Sequence, residues 1–198
     1  MNPRVFVLAL STFSFGSSAF IFAGLLESMA VDLGVSTGAV GQLQTAYVLT
    51  SALAGPPLAM LLGRRERKGV LLTALGAAIV FSILCMFAAN FSQLLVLRAI
   101  LGGIAALAGP AASTMAASLV APERRGSAMA TVMGGMTIAF LLGIPLGSVV
   151  GSAFGWRSTF ALSALLSVIA FAAVAVFIPR VPAPAPIKGG KLAIGVAA

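Results

Sequence analysis

Six long apolar runs dominate this sequence, and each has about the length that an α-helix needs to cross a bilayer. A spanning helix uses about 20 apolar residues for a hydrocarbon core of roughly 30 Å. Of the 198 residues, 60% are hydrophobic and only 8% are charged, whereas an average soluble domain has about 25% charged residues. Too little polar surface remains to cover a soluble globule. The sequence therefore predicts an integral membrane protein with spans near residues 5–26, 40–62, 70–89, 94–119, 128–153 and 159–178.

The spans are predicted to be helices. The strands of a membrane β-barrel alternate apolar and polar residues over short segments, whereas these runs are long and unbroken. A helix also satisfies its own backbone hydrogen bonds, as the bilayer interior demands. We expect residues 1–179 to form one six-span domain. Residues 180–198, which begin with a Pro/Ala-rich stretch, are expected to form a cytoplasmic linker or tail.

The residue inventory excludes most enzymatic chemistry. The chain has no histidine, one cysteine and only four acidic residues: Glu27, Asp32, Glu66 and Glu123. The absence of histidine excludes nucleophilic sites that rely on histidine and His-rich metal sites. With four acidic residues, catalysis by a pair of carboxylates has almost no candidate residues. We expect no enzymatic activity, no metal and no cofactor.

The basic residues predict orientation rather than nucleic-acid binding. The net charge is +8, but the positive residues lie in short clusters between apolar runs. With the N-terminus in the cytoplasm, that side carries ten of the twelve lysines and arginines, and the outer loops carry only Arg157. The positive-inside rule then predicts a multi-pass protein of the cell (inner) membrane with both termini in the cytoplasm. We therefore expect the protein to contact membrane lipid and not nucleic acid.

The fifth span carries a stripe of small residues at every fourth position, which would let another helix backbone approach closely. Pro145 lies within this stripe and is expected to bend the helix. Two interpretations stay open: ordinary tight packing, or a hinge at Gly143, Pro145 and Gly147 that opens and closes a pathway. The stripe consists of Ser127, Thr131, Gly135, Ala139, Gly143, Gly147 and Gly151.

Arg98 is the only charged residue well inside a span, about 9 Å deep if the helix rises 1.5 Å per residue from the outer loop. An arginine near a helix centre costs about 2.5–3.5 kcal/mol on insertion scales, so it usually faces a cavity or a partner. Snorkelling to the outer headgroups is the alternative. Glu27, at the outer end of the first span, is the candidate partner for a role in coupling or gating.

Two further groups of residues are candidates for function. Gln44 and Tyr47 in the second span either line a substrate path or make interhelical hydrogen bonds. The loop after that span carries a cluster of positive residues that acts first as an orientation signal. The cluster also has the charge to bind the carbonyl ends of neighbouring helices. Its candidate residues are Gly63, Arg64, Arg67 and Lys68.

At these positions the chain resembles the N-terminal half of the major facilitator superfamily, in particular the drug:proton antiporters and the sugar-efflux permeases. Arg98 and Gly102 resemble the family's span-four motif, which is associated with proton coupling. Residues 143–147 resemble its span-five antiporter motif. The other matching stretches are residues 24–26, 33–36, 55–72 and 155–160.

The chain also departs from the family pattern. Gly63 stands where the loop motif has an acid, and Glu66 replaces a glycine. A carboxylate common in span one of the sugar-efflux type is Ala19 here, and a proline after Leu26 is Glu27. This half therefore has no carboxylate in the middle of the membrane to carry a proton.

The resemblance implies an all-α membrane fold: a half-bundle of six transmembrane helices built from two inverted three-helix repeats. It implies half of a secondary active transporter that exports small organic compounds, such as drugs or sugars, by alternating access, with proton coupling as an inherited feature. A second six-span half, either another copy or a separate chain, would complete the substrate site. The alternative is a truncated remnant or accessory subunit that only packs against partner helices.

Overall fold

The computed structural model describes residues 2–62 and 65–179, and these residues form α-helices joined by short turns, with no strand among them. The helices are α1 (Pro3–Phe20), α2 (Leu26–Leu33), α3 (Thr37–Leu62), α4 (Arg67–Met86), α5 (Phe91–Ala105), α6 (Ala108–Ser118), α7 (Arg125–Phe154) and α8 (Arg157–Phe177). Gly63, Arg64 and the tail at 180–198 lie outside the described residues, so the predictions made for them stay predictions.

The six predicted spans are present, but two of them are broken. The first span consists of α1 and α2, separated by a turn and a short 3-10 helix at Ala23–Leu25. The fourth consists of α5 and α6, which part at residues 106–107. Among the described residues, five segments are long and apolar enough to cross a membrane: Pro3–Leu33, Arg67–Met86, Phe91–Ser118, Pro122–Phe154 and Arg157–Phe177. The helix α3, with 26 residues, is also long enough.

The helix ends lie where local chemistry places them. The side chains of Asn2 and Asn90 accept hydrogen bonds from the first turns of α1 and α5, at the amides of Arg4 and Gln93. Gly34 ends α2 with a left-handed φ of 65°, which a residue with a Cβ adopts at a cost. These boundaries follow from residues that are adjacent in sequence.

The helix pairing shows the two inverted repeats. The most extensive contacts join α1 to α7, α3 to α5 and α4 to α8, which are spans 1 and 5, 2 and 4, and 3 and 6. If span 1 is exchanged with span 4, span 2 with span 5 and span 3 with span 6, the pair of spans 1 and 5 becomes the pair of spans 4 and 2. The pair of spans 3 and 6 stays the same. Because successive spans run in opposite directions, the two three-span units have inverted topology. The predicted six-helix half-bundle of two repeats is confirmed.

Buried hydroxyl groups connect the helices of the interior. The Oγ atoms of Ser14 in α1 and Ser167 in α8 lie 3.0 Å apart, and those of Ser82 in α4 and Ser163 in α8 lie 3.4 Å apart. Small polar residues suit a membrane bundle because they allow close approach and satisfy their hydroxyls across helices. The serine contacts join α8 to both α1 and α4, while the other large contact surface of α1 is with α7.

A polar cluster closes the end of the bundle where α2 ends and α8 begins. Arg157 forms an ion pair with Asp32, and the indole nitrogen of Trp156 donates to the same carboxylate at 3.0 Å. The Arg157 guanidinium stacks over the Trp156 ring, with 4.2 Å from Cζ to the ring centroid. The cluster therefore ties the end of α2 to the start of α8.

We expect Asp32→Ala to lower the free energy of unfolding by about 1 kcal/mol. The ion pair is about half exposed, so its own contribution is at most about 1 kcal/mol, and the buried indole loses its acceptor as well. Asp32→Asn retains an oxygen for Trp156 and is expected to lose less. Thermal unfolding in detergent measures both variants, and equal losses would contradict the role assigned to the indole hydrogen bond.

Candidate functional site

Arg98 is the most deeply buried charged residue of the described chain, with 0% of its surface exposed. Its guanidinium donates to the carbonyl oxygens of Ser18 at 2.7 Å and Ala19 at 2.9 Å, both in the last turn of α1. A third bond, of 3.3 Å, reaches the side-chain oxygen of Gln44 in α3. One side chain thus joins three helices that belong to spans 1, 2 and 4.

The break in the first span explains these acceptors. The last turn of a helix leaves carbonyl groups without backbone donors, and in a bilayer no water is available to satisfy them. Arg98 supplies donors to two such carbonyls. Its positive charge also suits the negative end of the α1 dipole. The guanidinium therefore caps α1 at the point where the span is interrupted.

Two aromatic rings enclose the same guanidinium. Its Cζ lies 4.7 Å from the centroid of Phe22, at the break, and 4.4 Å from that of Tyr47 in α3. A cation over an aromatic face is stabilised further when it is desolvated. Gly102 allows α5 to approach α3 this closely, because a Cβ there would overlap with the backbone carbonyl of Tyr47.

The predicted ion pair between Arg98 and Glu27 is wrong for this structure. Glu27 is exposed on α2, and the terminal nitrogens of Arg98 donate to two carbonyls and to Gln44 instead. The snorkelling alternative does not hold either, because the guanidinium is buried inside the bundle rather than directed to the headgroups. Any part that either residue plays in coupling or gating stays a prediction.

The Arg98 cluster keeps free donor capacity. Among the described residues, the Nε of Arg98 and the amide nitrogen of Gln44 are buried without a hydrogen-bond partner. An unpaired buried donor costs about 1–3 kcal/mol. The two groups can therefore hold one more acceptor, such as a water molecule or an oxygen of a bound compound.

The small-residue stripe of α7 packs along α1. Gly135 and Gly147 lie against the backbone carbonyls of Ala9 and Ile21, and a Cβ on Gly143 would be 3.3 Å from the Cα of Ser17. The expected close approach of another backbone is thus confirmed, from Gly135 onward. Pro145 is exposed within α7, which continues through it as one helix from Arg125 to Phe154. The hinge role of Gly143, Pro145 and Gly147 stays a prediction.

The described part of the loop cluster divides between two sides of α4. The Nζ of Lys68 donates to the carbonyl of Ala175 in α8 at 2.8 Å, which is the carbonyl-end contact expected of this cluster. Arg67 instead borders a cavity between α3, α4 and α6.

The structure thus joins Arg98, Gln44 and Tyr47, which the sequence suggested as separate candidates. It adds Phe22 and the carbonyls of Ser18 and Ala19. Phe22 has one weak sequence signal, since Gly24 follows two residues later and glycine weakens a helix. The carbonyl acceptors of Ser18 and Ala19 have no sequence signal, because every residue carries the same backbone carbonyl.

Broken spans, inverted repeats and a buried cation at a break define a multi-pass membrane protein built on the plan of secondary transporters. The sequence model of the family described as the Major Facilitator Superfamily matches residues 8–196 of this chain. The chain belongs to this superfamily.

Individual relatives of the chain support its membership of this superfamily. The chain is 33% identical to the MFS-type transporter YfhI of Bacillus subtilis over 183 residues, which is 90% of this chain and 46% of that protein. It is 32% identical to the MFS-type transporter YbcL of the same organism over 184 residues, with 93% and 47% covered. The chain thus spans about half the length of the curated relatives it matches.

The fold is shared with transporters of known structure. The proton:xylose symporter XylE superposes with a TM-score of 0.77 at 16% identity, covering 89% of this chain and 44% of that one. A peptide transporter POT superposes with a TM-score of 0.75 at 15% identity, covering 87% and 37%. At such identities the likeness concerns the fold alone.

Proposed function

We propose that this chain is the N-terminal six-helix half of a secondary active transporter that exports small organic compounds by alternating access. The observation that carries the proposal is the pair of breaks in spans 1 and 4. The break in span 4 falls near the middle of the segment Phe91–Ser118, and the break in span 1, at residues 21–25, falls beyond the middle of the segment Pro3–Leu33. Spans 1 and 4 are also one of the three pairs of spans that the two repeats relate. In transporters of this plan, substrate sites near the bilayer midplane are typically formed by discontinuous helices.

Arg98 supports this placement of the site. A buried charge and an interrupted helix both cost free energy in a bilayer, and such features usually mark a functional pathway. The guanidinium stabilises the break, while the free donors of Arg98 and Gln44 remain to contact an oxygen of the transported compound. Tyr47 packs on the guanidinium and is proposed to hold it in place, as part of the substrate path.

Proton coupling would need a carboxylate from outside the described spans. Glu27 and Asp32 lie on α2, Glu66 precedes α4, and Glu123 precedes α7. All four acidic residues are thus at or near the ends of spans. We propose that a second six-helix half, a second copy or a separate chain, completes the cavity, and that for proton coupling this half is a separate chain that supplies the proton-carrying group. The orientation is proposed to place both termini in the cytoplasm of the cell (inner) membrane.

Flux measurements test the proposal. The chain is produced in inside-out membrane vesicles, and accumulation of a small organic dye is followed with and without an imposed proton gradient. We expect gradient-dependent accumulation in vesicles that contain the chain, and none in vesicles that lack it. Arg125→Gln, which changes an exposed arginine at the start of α7, is the matched control for variants of Arg98.

The mass of the detergent particle identifies the second half. A defined dimer of the chain, or a complex with another six-span protein, is expected for a functional half. A folded, inserted monomer that shows no flux with any partner would contradict transport. That result would favour an accessory subunit that only packs against other helices.

A further inference from the structure

A cavity of about 160 Å³ lies at the end of the bundle where α3 ends and α4 begins. Its walls come from α3, α4, the end of α5 and α6, and they are mostly apolar, with Leu58, Val70 and Leu107 among them. Ala106 and Leu107, at the break between α5 and α6, and Pro110 just after it also line this space. A space of about 150 Å³ accommodates a six-carbon hydrocarbon, so this partly open cavity has room for the first part of an acyl chain.

Among the described residues, Arg67 is the one charged residue on the wall of this cavity. Its guanidinium makes no hydrogen bond or ion pair with the described residues, unlike Lys68, which reaches α8. Glu66 borders a separate pocket with Arg65, Gly69 and Thr73, so its carboxylate does not line this cavity. An apolar cavity with an unpaired cation at its wall is complementary to an amphipathic anion.

Charges at the start of α4 strengthen the preference for an anion. The first turn of α4 contains no acidic residue, and no side chain caps it. The positive end of the helix dipole and the charges of Arg67 and Lys68 are offset only in part by Glu66, the acidic residue that directly precedes the helix. An anionic group from outside the described chain would balance the remaining positive charge.

We propose that this cavity binds an anionic phospholipid, with the phosphate at Arg67 and the first part of an acyl chain inside the apolar walls. The chain crosses a bilayer, and Arg67 begins the span formed by α4, so the guanidinium lies at headgroup level. Basic pockets between transmembrane helices bind anionic lipid headgroups in this way. The proposed orientation places the site in the cytoplasmic leaflet.

Lipid competition on the purified full chain tests this site. The chain in mild detergent is titrated with dioleoyl-phosphatidylglycerol or dioleoyl-phosphatidylcholine, and native mass spectrometry counts the retained lipids. We expect the anionic lipid to bind about fivefold more tightly, the effect of one cation near a membrane surface. Arg67→Gln is expected to abolish the preference. Arg65→Gln, in the same segment but away from this cavity, is expected to retain it.

A second variant tests the apolar part. Ala59 lies on the cavity wall and is exposed, so Ala59→Leu fills the space without disturbing the core. It is expected to weaken binding of the anionic lipid several-fold while leaving thermal unfolding in detergent unchanged. Displacement of the lipid by millimolar inorganic phosphate alone would overturn the acyl-chain part of the proposal. Equal losses in the Arg67 and Arg65 variants, or no preference for the anionic lipid, would overturn the site. Because the readout is lipid binding, failure here is separate from failure of transport.

Discussion

Gly147→Val is expected to destabilise the bundle by about 3 kcal/mol or more, because α7 can no longer pack on α1. A Cβ at this position overlaps with the backbone carbonyl of Ile21, which cannot move aside as a flexible side chain would. Overpacking of a tight core costs about 1–3 kcal/mol, and backbone overlap lies at the upper end of that range. Thermal unfolding in detergent, followed by fluorescence of the single tryptophan, Trp156, measures the loss.

Gly134→Val is the matched control. It makes the same substitution in the same helix, but a Cβ on Gly134 meets no heavy atom within 4 Å. Both variants change helix propensity equally, so the difference between them isolates the contact with α1. If Gly134→Val unfolds as easily as Gly147→Val, the close packing of α7 on α1 is not what stabilises this interface.

Arg98→Met is expected to abolish gradient-dependent flux, with a loss of at least about tenfold. The variant leaves the carbonyls of Ser18 and Ala19 unpaired at the break, at about 1–3 kcal/mol each. Relief of the buried charge offsets part of this cost, but removing one partner of a buried charged contact is usually strongly destabilising. The first span then regains stability by closing the break into a continuous helix, in which backbone amides occupy these carbonyls.

Hydrogen exchange distinguishes this explanation from general unfolding. Closing the break is expected to slow exchange of the amides at residues 21–25, while general destabilisation speeds it throughout the bundle. Arg98→Lys retains the charge but does not provide the guanidinium's paired donors, so an intermediate flux is expected. Full flux in Arg98→Met, with unchanged exchange at the break, would contradict the role assigned to Arg98.

The breaks in spans 1 and 4 are features of the fold that the sequence did not predict. A continuous apolar run predicts a continuous span, and at the break in the run at residues 5–26 only Gly24 disfavours a continuous helix. In the structure α1 ends at Phe20, because Arg98 from another helix supplies the donors that the last turn of α1 lacks. An interruption that depends on a residue about 80 positions away leaves almost no local signal.

The error over Glu27 has the same origin. A sequence displays charged side chains, so the search for a partner of Arg98 stopped at the acids of the outer side. The actual partners are mostly backbone carbonyls and aromatic faces. Gln44 and Tyr47 are visible in the sequence as polar candidates, but only their packing shows that they belong to the Arg98 cluster.

Sequence alone determined the properties that depend on residue type and local order. These are the membrane environment, the six spans, the positions of the caps at Asn90 and Gly34, and the small-residue face of α7. Each follows from hydropathy, backbone freedom or helical periodicity. Only the tertiary structure decided which helix the α7 face meets, where spans 1 and 4 break, and what holds a buried guanidinium. Those features arise from backbone groups and from contacts between distant segments, which the order of residues does not display.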